Sequence, residues 1–462
     1  MVRARRSCRS CNETEKVLAA RSRIAQVRAW EALDSRGRPT VGCEVRLAGG
    51  ARGVATVPSG ASTGAHEARE LRDGGDRYGG RGVRRAVENV HREIAPAVSG
   101  LDADDQERLD RAMRELDATC DLGRLGANAV LAVSVASALA AAEAGGLPLY
   151  RRLAGEAPPL LPLPMVNIVS GGAHAGGAVD FQDFLVVPVG ASSFAEAIEW
   201  ASRVRAATAE LAAERGLEAA LVADEGGFGP PLPSSRAALD LLAAGIERSG
   251  LVPGEEAAIA IDVAATQLVT RAPGRTEPGE NENQSHLTYR LAAEGRTLSA
   301  AELVAMLESW CHEFPLVSIE DPLGEDDWEG WAEATRRLGG RIQLVGDDLF
   351  VTSVERLERG VAAGVANAVL VTPNQAGTLS AARACVERAK EAGYAAIISA
   401  RSGDTEDSWL ADLAVGWRAG QIKVGSLARS ERTAKWNRLL AIEADLGGEA
   451  GFAGRTALAR PG

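Results

Sequence analysis

The second half of the chain repeats one pattern, in which a short apolar run is followed by polar residues and then by a helical segment. Written with the residues that follow them, the runs are LVADEGG (221–227), AIAIDVA (258–264), LVSIEDP (316–322), IQLVGDD (342–348), AVLVTPN (368–374), AAIISARSG (395–403) and QIKVGS (421–426). Segments between them, such as 299–311 and 353–363, have the periodicity of amphipathic helices. Near-continuous apolar strands that alternate with helices are typical of a parallel sheet covered on both faces.

These runs, together with MVNIV (165–169) and FLVVPV (184–189) before them, are numerous enough to close a (β/α)₈-type barrel. An open doubly wound sheet is the alternative. It fits less well because no GxGxxG motif follows the first strand. The predicted fold class is therefore α/β, with a barrel in the second part of the chain.

The first part of the chain has a mixed pattern. Polar and apolar side chains alternate over 40–47, as they do in a half-exposed strand. Helical periodicity is found over 82–99, 104–116 and 128–144. We therefore predict three regions, which are a basic disordered extension over 1–23, an α+β domain over 24–155 and the barrel domain over 156–462.

Three segments are expected to lack regular structure. The Pro-rich segment 157–164 is predicted to be a linker, and the polar insertion 275–286 a surface loop. The basic extension contains Cys8 and Cys11 as a lone CxxC motif. A metal knuckle needs a second pair of ligands at matching spacing, so we interpret this extension as a tail with two free thiols.

Charge and hydropathy exclude some classes of function. The formal net charge of −12 argues against a general binder of nucleic acids or anionic membranes. The longest apolar stretch, 127–142, contains Asn128 and two serines and is predicted to be a buried helix rather than a membrane span. The apolar region of a secretory signal does not follow the basic N-terminus. We expect a cytoplasmic protein.

Charged side chains stand where the predicted strands end, and in (β/α)₈ barrels those ends meet at one mouth that carries the chemistry. These side chains are Asp224, Glu225, Asp262, Glu320, Asp321, Asp347, Asp348, Arg401 and Lys423. A single such carboxylate is more often a helix N-cap. Several at one mouth would repel each other strongly without a cation. We therefore expect a hard divalent ion, Mg²⁺, and an anionic substrate held by the Arg and Lys side chains.

Long segments in collinear order resemble enolase from about residue 24 to the C-terminus. They include ALDSRGRPTV (32–41), VPSGASTGAHEARELRD (57–73), LGANAVLAVS (125–134), NIVSGGAHAGG (167–177), DFQDF (180–184), DEGGFGP (224–230), SIEDPL (318–323), QLVGDDLFVT (343–352), NQAGT (374–378), RSGDTEDS (401–408), QIKVGS (421–426) and RSERTAKWNRLL (429–440). The resemblance implies an α+β capping domain on a modified barrel of ββαα(βα)₆ order. It also implies Mg²⁺ and a homodimer.

The resemblance further implies a carbon–oxygen lyase, because enolases interconvert 2-phosphoglycerate and phosphoenolpyruvate with loss of water. Asp262, Glu320 and Asp347 match the three carboxylates that hold the first Mg²⁺. Ser62 matches a residue whose loop closes on the substrate and contributes to the second Mg²⁺.

Other positions match the groups that act on the substrate. Glu225 matches the acid that assists departure of hydroxide, and His174 matches a histidine of a mobile loop. The matched contacts to the substrate carboxylate and phosphate are Gln182, Arg401, Ser402 and Lys423.

Three positions depart from the enolase pattern. Thr372 stands where enolases carry the lysine that removes the α-proton, and a threonine hydroxyl is far too weak a base for that step without an activating partner. Ala400 stands where they have a histidine, and Asp183 where they have a glutamate. Lys423 is the only matched lysine left at the mouth, and its use as a base would be a change of mechanism.

Three functions remain open on these residues. The first is Mg²⁺-dependent elimination of water from a phosphorylated, 2-phosphoglycerate-like hydroxy acid, or the related chemistry of an enolase-like enzyme of phosphonate or phosphinate biosynthesis such as carboxyphosphonoenolpyruvate synthase. The second is a catalytically inactive homologue that binds Mg²⁺ and an anionic ligand. The third is an interaction protein on an inherited scaffold, which the many matched ligand-binding positions argue against.

Overall fold

A computed structural model describes residues 21–60, 64–271 and 287–459 of the chain. The strands are β1 (Ile24–Leu33), β2 (Pro39–Leu47), β3 (Arg52–Thr56), β4 (Leu160–Leu161), β5 (Leu163–Ser170), β6 (Asp183–Val187), β7 (Ala258–Asp262), β8 (Val269–Arg271), β9 (Leu287–Leu291), β10 (Arg296–Ser299), β11 (Leu316–Glu320), β12 (Gln343–Gly346), β13 (Ala368–Val371), β14 (Ala395–Ser399), β15 (Gly420–Gly425) and β16 (Gly451–Phe452).

Helices surround these strands. The α-helices are Arg84–Asn89, Ala95–Val98, Gln106–Asp117, Ala127–Ala144, Leu149–Ala154, Phe194–Glu214, Ser235–Arg248, Ala300–Glu313, Trp328–Leu338, Val354–Ala363, Pro373–Ala376, Leu379–Glu391, Trp409–Gly416 and Ser430–Leu446. A π-helical turn, Val90–Ile94, joins the first two into one continuous stretch.

Eight strands close the predicted barrel, in the order β11-β12-β13-β14-β15-β5-β6-β7. β6 runs antiparallel to both of its neighbours, and the other pairs are parallel. Two helices, Phe194–Glu214 and Ser235–Arg248, follow β6 before β7 begins. The ββαα(βα)₆ order is therefore confirmed, and the open doubly wound alternative is wrong.

The barrel strands are apolar on both faces because both faces are buried. One set of side chains, including Met165, Leu185, Val345 and Leu370, forms a separate cluster that we interpret as the barrel interior. Alternate residues on the same strands pack outward against the helices in the main core. A run such as Ala368–Val371 is completely buried for this reason, and period-2 alternation would not have revealed it.

The N-terminal part contains a three-stranded antiparallel sheet in the order β1-β2-β3. The helix Ala127–Ala144 packs on β2 and β3. Gly53 allows this close approach, because a side chain there would overlap the backbone at Ala136 and Ala140. By length and composition this helix could cross a membrane, but 83% of it is buried inside the protein, as predicted for a core helix.

Two local predictions are wrong. The segment 157–164 was predicted to be a linker, but it contains β4 and the start of β5. Pro164 therefore lies in a barrel strand and not in a connection. The run 221–227 forms no strand, only a single bridge from Val222 to Phe228. Its acids therefore reach the mouth on a loop. Residues 1–20 of the predicted extension and the insertion 275–286 lie outside the described residues, whereas Arg23 already forms a bridge with Asp102.

Candidate active site at the barrel mouth

Three carboxylates meet where neighbouring barrel strands end. Asp262 ends β7, Glu320 ends β11, and Asp347 directly follows β12. Asp262 and Glu320 are paired in the register of their strands, and both are buried. Lys423 of β15 reaches across the mouth to this pair. Its Nζ donates to Asp262 Oδ2 at 2.9 Å and to both oxygens of Glu320 at 2.8 Å.

The charges of this group depend on each other. Burial raises the pKa of Glu320 well above its ordinary value, and the neighbouring Asp262 carboxylate adds to that effect. Burial would lower the pKa of Lys423, but the carboxylates of Asp262 and Glu320 outweigh it and raise that pKa. Lys423 is therefore held as an ammonium ion. A general base must be free of its proton, so this arrangement does not favour Lys423 as the missing base.

A group of three acids beside this corner shares only Asp347 with the predicted ligand trio, and its donor atoms lie close enough together for a hard divalent cation. Asp321, Asp347 and Asp348 place one carboxylate oxygen each within 4.8 Å of one another. The backbone N–H groups of Asp347 and Asp348 donate to the Asp321 carboxylate at 3.0 and 2.8 Å, which fixes the turn after β12. Clustered carboxylate oxygens are the ligands that Mg²⁺ and similar ions prefer. The acidic clusters of the described residues could therefore hold a metal ion.

A second group lies at the same mouth and contains His174, Asp183 and Glu225. His174 Nδ1 lies 3.0 Å from Asp183 Oδ2, and its Nε2 lies 3.8 Å from Glu225 Oε1. Asn167 and Ser170 both donate to the other Asp183 oxygen. Burial would lower the pKa of His174, but the two carboxylates raise it to about 9. The imidazole is therefore protonated near neutral pH and can donate a proton.

The predicted anion contacts surround this mouth. Gln182 donates to Asp262 Oδ2 at 3.1 Å and accepts from Gln267 at 3.0 Å. Arg401 follows β14 and is buried, with an ion pair to Glu67 at 3.1 Å. Ser402 Oγ accepts from Arg36 at 3.4 Å. Ser62, predicted to contribute to a second Mg²⁺, lies outside the described residues.

Thr372 lies at the end of β13 and is 1% exposed. Its hydroxyl donates to Gln375 Oε1, and its backbone N–H donates to Thr352 Oγ1 at 2.9 Å. A hydroxyl that already donates to an amide oxygen has no basic partner to activate it. Ala400, after the neighbouring strand β14, carries no ionisable group. This side of the mouth is therefore neutral at both positions, where the enolase pattern has the lysine base and a histidine.

Sequence reasoning assigned no role to Glu67 or Gln375, although both lie in segments quoted for the resemblance. The structure places Glu67 against Arg401, a residue 334 positions away. Gln375 donates to Asp347 Oδ1 at 2.8 Å. Local spacing contains no signal for contacts at such separations. In the sequence, the indication of a role for Glu67 and Gln375 was that both residues lie in segments that resemble enolase.

Comparison with known protein families agrees with this architecture. The family description "Enolase, N-terminal domain" matches residues 24–153, and "Enolase, C-terminal TIM barrel domain" matches residues 158–460. Together the two matches cover nearly the whole chain, and the closed eight-stranded barrel agrees with the second description. The chain belongs to the enolase family.

Proposed function

We propose that the protein is a Mg²⁺-dependent carbon–oxygen lyase that removes water from a phosphorylated or phosphonylated, 2-phosphoglycerate-like hydroxy acid and has diverged from housekeeping enolase. One observation carries the proposal. The buried carboxylates of Asp262 and Glu320 and the half-buried carboxylate of Asp347 share a mouth with the buried cations Arg401 and Lys423. Such a mouth suits a metal ion together with an anionic ligand.

Asp262, Glu320 and Asp347 would hold the Mg²⁺. The ion would supply charge stabilisation for the enediolate that forms when a proton leaves the carbon beside a carboxylate. Lys423 adds a fixed positive charge next to the same carboxylates. Its ammonium would compensate developing negative charge on the substrate carboxylate.

The remaining side chains would contact different groups of the substrate. Arg401, Ser402 and Gln182 would bind its carboxylate and its phosphoryl or phosphonyl group. Glu225, close to protonated His174, would assist the departing hydroxide. Asp183 holds His174 in place through Nδ1 and stands one methylene further back than a glutamate would. Among the residues that the structure describes, no evident base for removal of the α-proton lies on the Thr372 side.

Two alternatives compete for the same geometry. The absence of an ionisable group at both Thr372 and Ala400 favours a specialised substrate, such as that of a carboxyphosphonoenolpyruvate synthase-type enzyme, over 2-phosphoglycerate. The lack of an ionisable side chain at these two positions also favours an inactive homologue that still binds Mg²⁺ and an anionic ligand.

The test uses 2-phosphoglycerate and its phosphonate analogue, each with and without Mg²⁺, and follows product by ³¹P NMR. The control is Glu225→Gln, which removes the proposed acid and preserves the side-chain shape. Mg²⁺-dependent formation of an enolpyruvate product that Glu225→Gln abolishes would support the lyase. Binding of both compounds without any product would favour the inactive homologue instead.

We also propose a homodimer, which the family membership supports. Light scattering on the purified chain measures the mass directly, and a mass of one chain at micromolar concentration would contradict it. A cytoplasmic location stays a prediction from the sequence.

A further inference from the structure

Glu67 connects several parts of the mouth through one buried carboxylate. Arg401 donates from Nη1 to Glu67 Oε2 at 3.2 Å and from Nη2 to Glu67 Oε1 at 3.1 Å. The backbone N–H of Gly64 donates to Oε1 at 3.0 Å. The side chains of Glu67 and Arg401 are 6% and 9% exposed. A two-pronged, buried ion pair of this kind fixes the plane of the guanidinium group.

Gln375 extends this contact to the acidic corner. Its Nε2 donates to Glu67 Oε1 at 3.3 Å and to Asp347 Oδ1 at 2.8 Å. Its Oε1 accepts from the hydroxyls of Thr352 and Thr372. Two hydroxyl donors on one side and two carboxylate acceptors on the other determine which way the amide points.

A continuous chain of contacts therefore runs from Arg401 through Glu67 and Gln375 to Asp347. One end is the proposed anion contact, and the other end is a proposed Mg²⁺ ligand. The links are partly buried and charge-assisted, so a change at one end can alter the hydrogen bonding at the other. An anion that engages Arg401 must share that guanidinium with Glu67, and Glu67 shares its Oε1 with Gln375.

We propose that Glu67 is a positioning residue that couples anion binding at Arg401 to cation binding at Asp347, through the amide of Gln375. This inference rests on the proposed function, since it takes Arg401 and Asp347 as ligand contacts. Coupling of this kind is reciprocal. Phosphate would raise the affinity for Mg²⁺ by the same factor by which Mg²⁺ raises the affinity for phosphate.

The coupling is measured by calorimetric titration of Mg²⁺ into the full-length protein, with and without inorganic phosphate. For the wild type we expect phosphate to raise the Mg²⁺ affinity about five-fold or more. Glu67→Gln removes the charge and the two-pronged geometry, and we expect the factor to fall below about two. Gln375→Met keeps the volume but cannot donate, and we expect the same loss while the ion pair of Glu67 with Arg401 remains.

Glu70→Gln is the matched control. Glu70 lies on the same segment and accepts from Ser59 Oγ at 3.0 Å and from Arg72, so its replacement removes a nearby negative charge and leaves the chain of contacts intact. We expect its coupling factor to equal that of the wild type. Circular dichroism and melting curves identify any variant that fails to fold.

The outcomes separate the two proposals. A wild type that binds neither Mg²⁺ nor phosphate would overturn the proposed function itself. A wild type that binds both, without coupling or with a factor that Glu67→Gln and Gln375→Met leave unchanged, would overturn the role of Glu67 alone. Equal losses in Glu70→Gln and Glu67→Gln would also overturn it, because general charge would then be the cause.

Discussion

Two sides of the barrel mouth differ in their chemistry. On the side of β7, β11 and β12, the strands end in buried or half-buried carboxylates, which accept hydrogen bonds from Lys423 and Gln375. On the side of β13 and β14, the corresponding positions are Thr372 and Ala400, and the threonine hydroxyl is used in a hydrogen bond to Gln375. The three carboxylates that would hold the first Mg²⁺ are all present among the described residues, whereas the residue that would remove a proton is replaced by Thr372. A mouth that keeps its ligand-binding groups can therefore bind Mg²⁺ and an anion without catalysing the dehydration of 2-phosphoglycerate.

The largest expected effect is a low turnover of 2-phosphoglycerate, which follows from the neutral side chains of Thr372 and Ala400. With 2-phosphoglycerate and Mg²⁺, we expect turnover at least ~10²–10⁴-fold below that of a housekeeping enolase, because that range is typical of general base catalysis. Protein purified free of host enolase and assayed for phosphoenolpyruvate by its absorbance gives this rate. Turnover of tens per second would show that a base operates that the geometry at Thr372 does not reveal.

Replacement of a carboxylate on the side of β7, β11 and β12 is expected to cause a large loss of metal affinity. Asp347→Ala removes a proposed ligand, and we expect Mg²⁺ affinity to fall by at least about 100-fold, since loss of an outer partner alone costs about 10–100-fold. Asp326→Ala is the control, because its side chain is 69% exposed on the loop nearby. Calorimetric titration of both variants measures the difference. Equal binding curves would remove Asp347 from the metal site.

His174 predicts a pH dependence of stability. Its pKa is raised from 6.5 to about 9, so the stability that its charge contributes is complete below about pH 6.5 and is lost as pH rises through 9. The raised value corresponds to at most about 3 kcal/mol. Melting curves of wild type and His174→Asn between pH 6.5 and 9.5 should converge as pH rises. A constant difference in melting temperature would mean that the histidine is not charged in the folded protein.

A substitution at Gly403, at the junction of the N-terminal sheet with the barrel, is expected to have a smaller effect, on the free energy of unfolding. A Cβ at this position would collide with the side chains of Asp34 and Arg36, which form a buried ion pair. Arg36 also donates to the backbone carbonyls of Ser59 and Gly60, so it cannot move aside freely. Gly403→Ala should therefore lower the free energy of unfolding by about 1–3 kcal/mol, as overpacking commonly does. Urea denaturation measures this, with Gly340→Ala as a control at a position open to space. Equal losses in the two variants would contradict tight packing at Gly403.

Sequence patterns were sufficient for the barrel but not for the contacts between distant segments. Apolar runs such as 368–371 and 395–399 were recognisable because strands buried on both faces have few polar residues. The small antiparallel sheet β8-β9-β10 was not predicted, since its strands are short and border the insertion. Asp262, Glu320 and Asp347 were among the charged residues at predicted strand ends, and the resemblance to enolase singled them out as metal ligands. Glu67 and Gln375 were missed because their importance depends on Arg401 and Asp347, which only the fold brings near.

We infer that the mouth keeps its ligand-binding side and that Thr372 stands in place of its base. Exchange of the α-proton of 2-phosphoglycerate in D₂O with Mg²⁺, followed by NMR, isolates proton removal from loss of hydroxide. We expect no exchange above background with the wild type and measurable exchange with Thr372→Lys, or with Thr372→Lys combined with Ala400→His. Lys423 and Mg²⁺ would lower the pKa of the new lysine by like-charge repulsion. Variants that bind Mg²⁺ and 2-phosphoglycerate but show no exchange would contradict the claim, as would rapid exchange by the wild type.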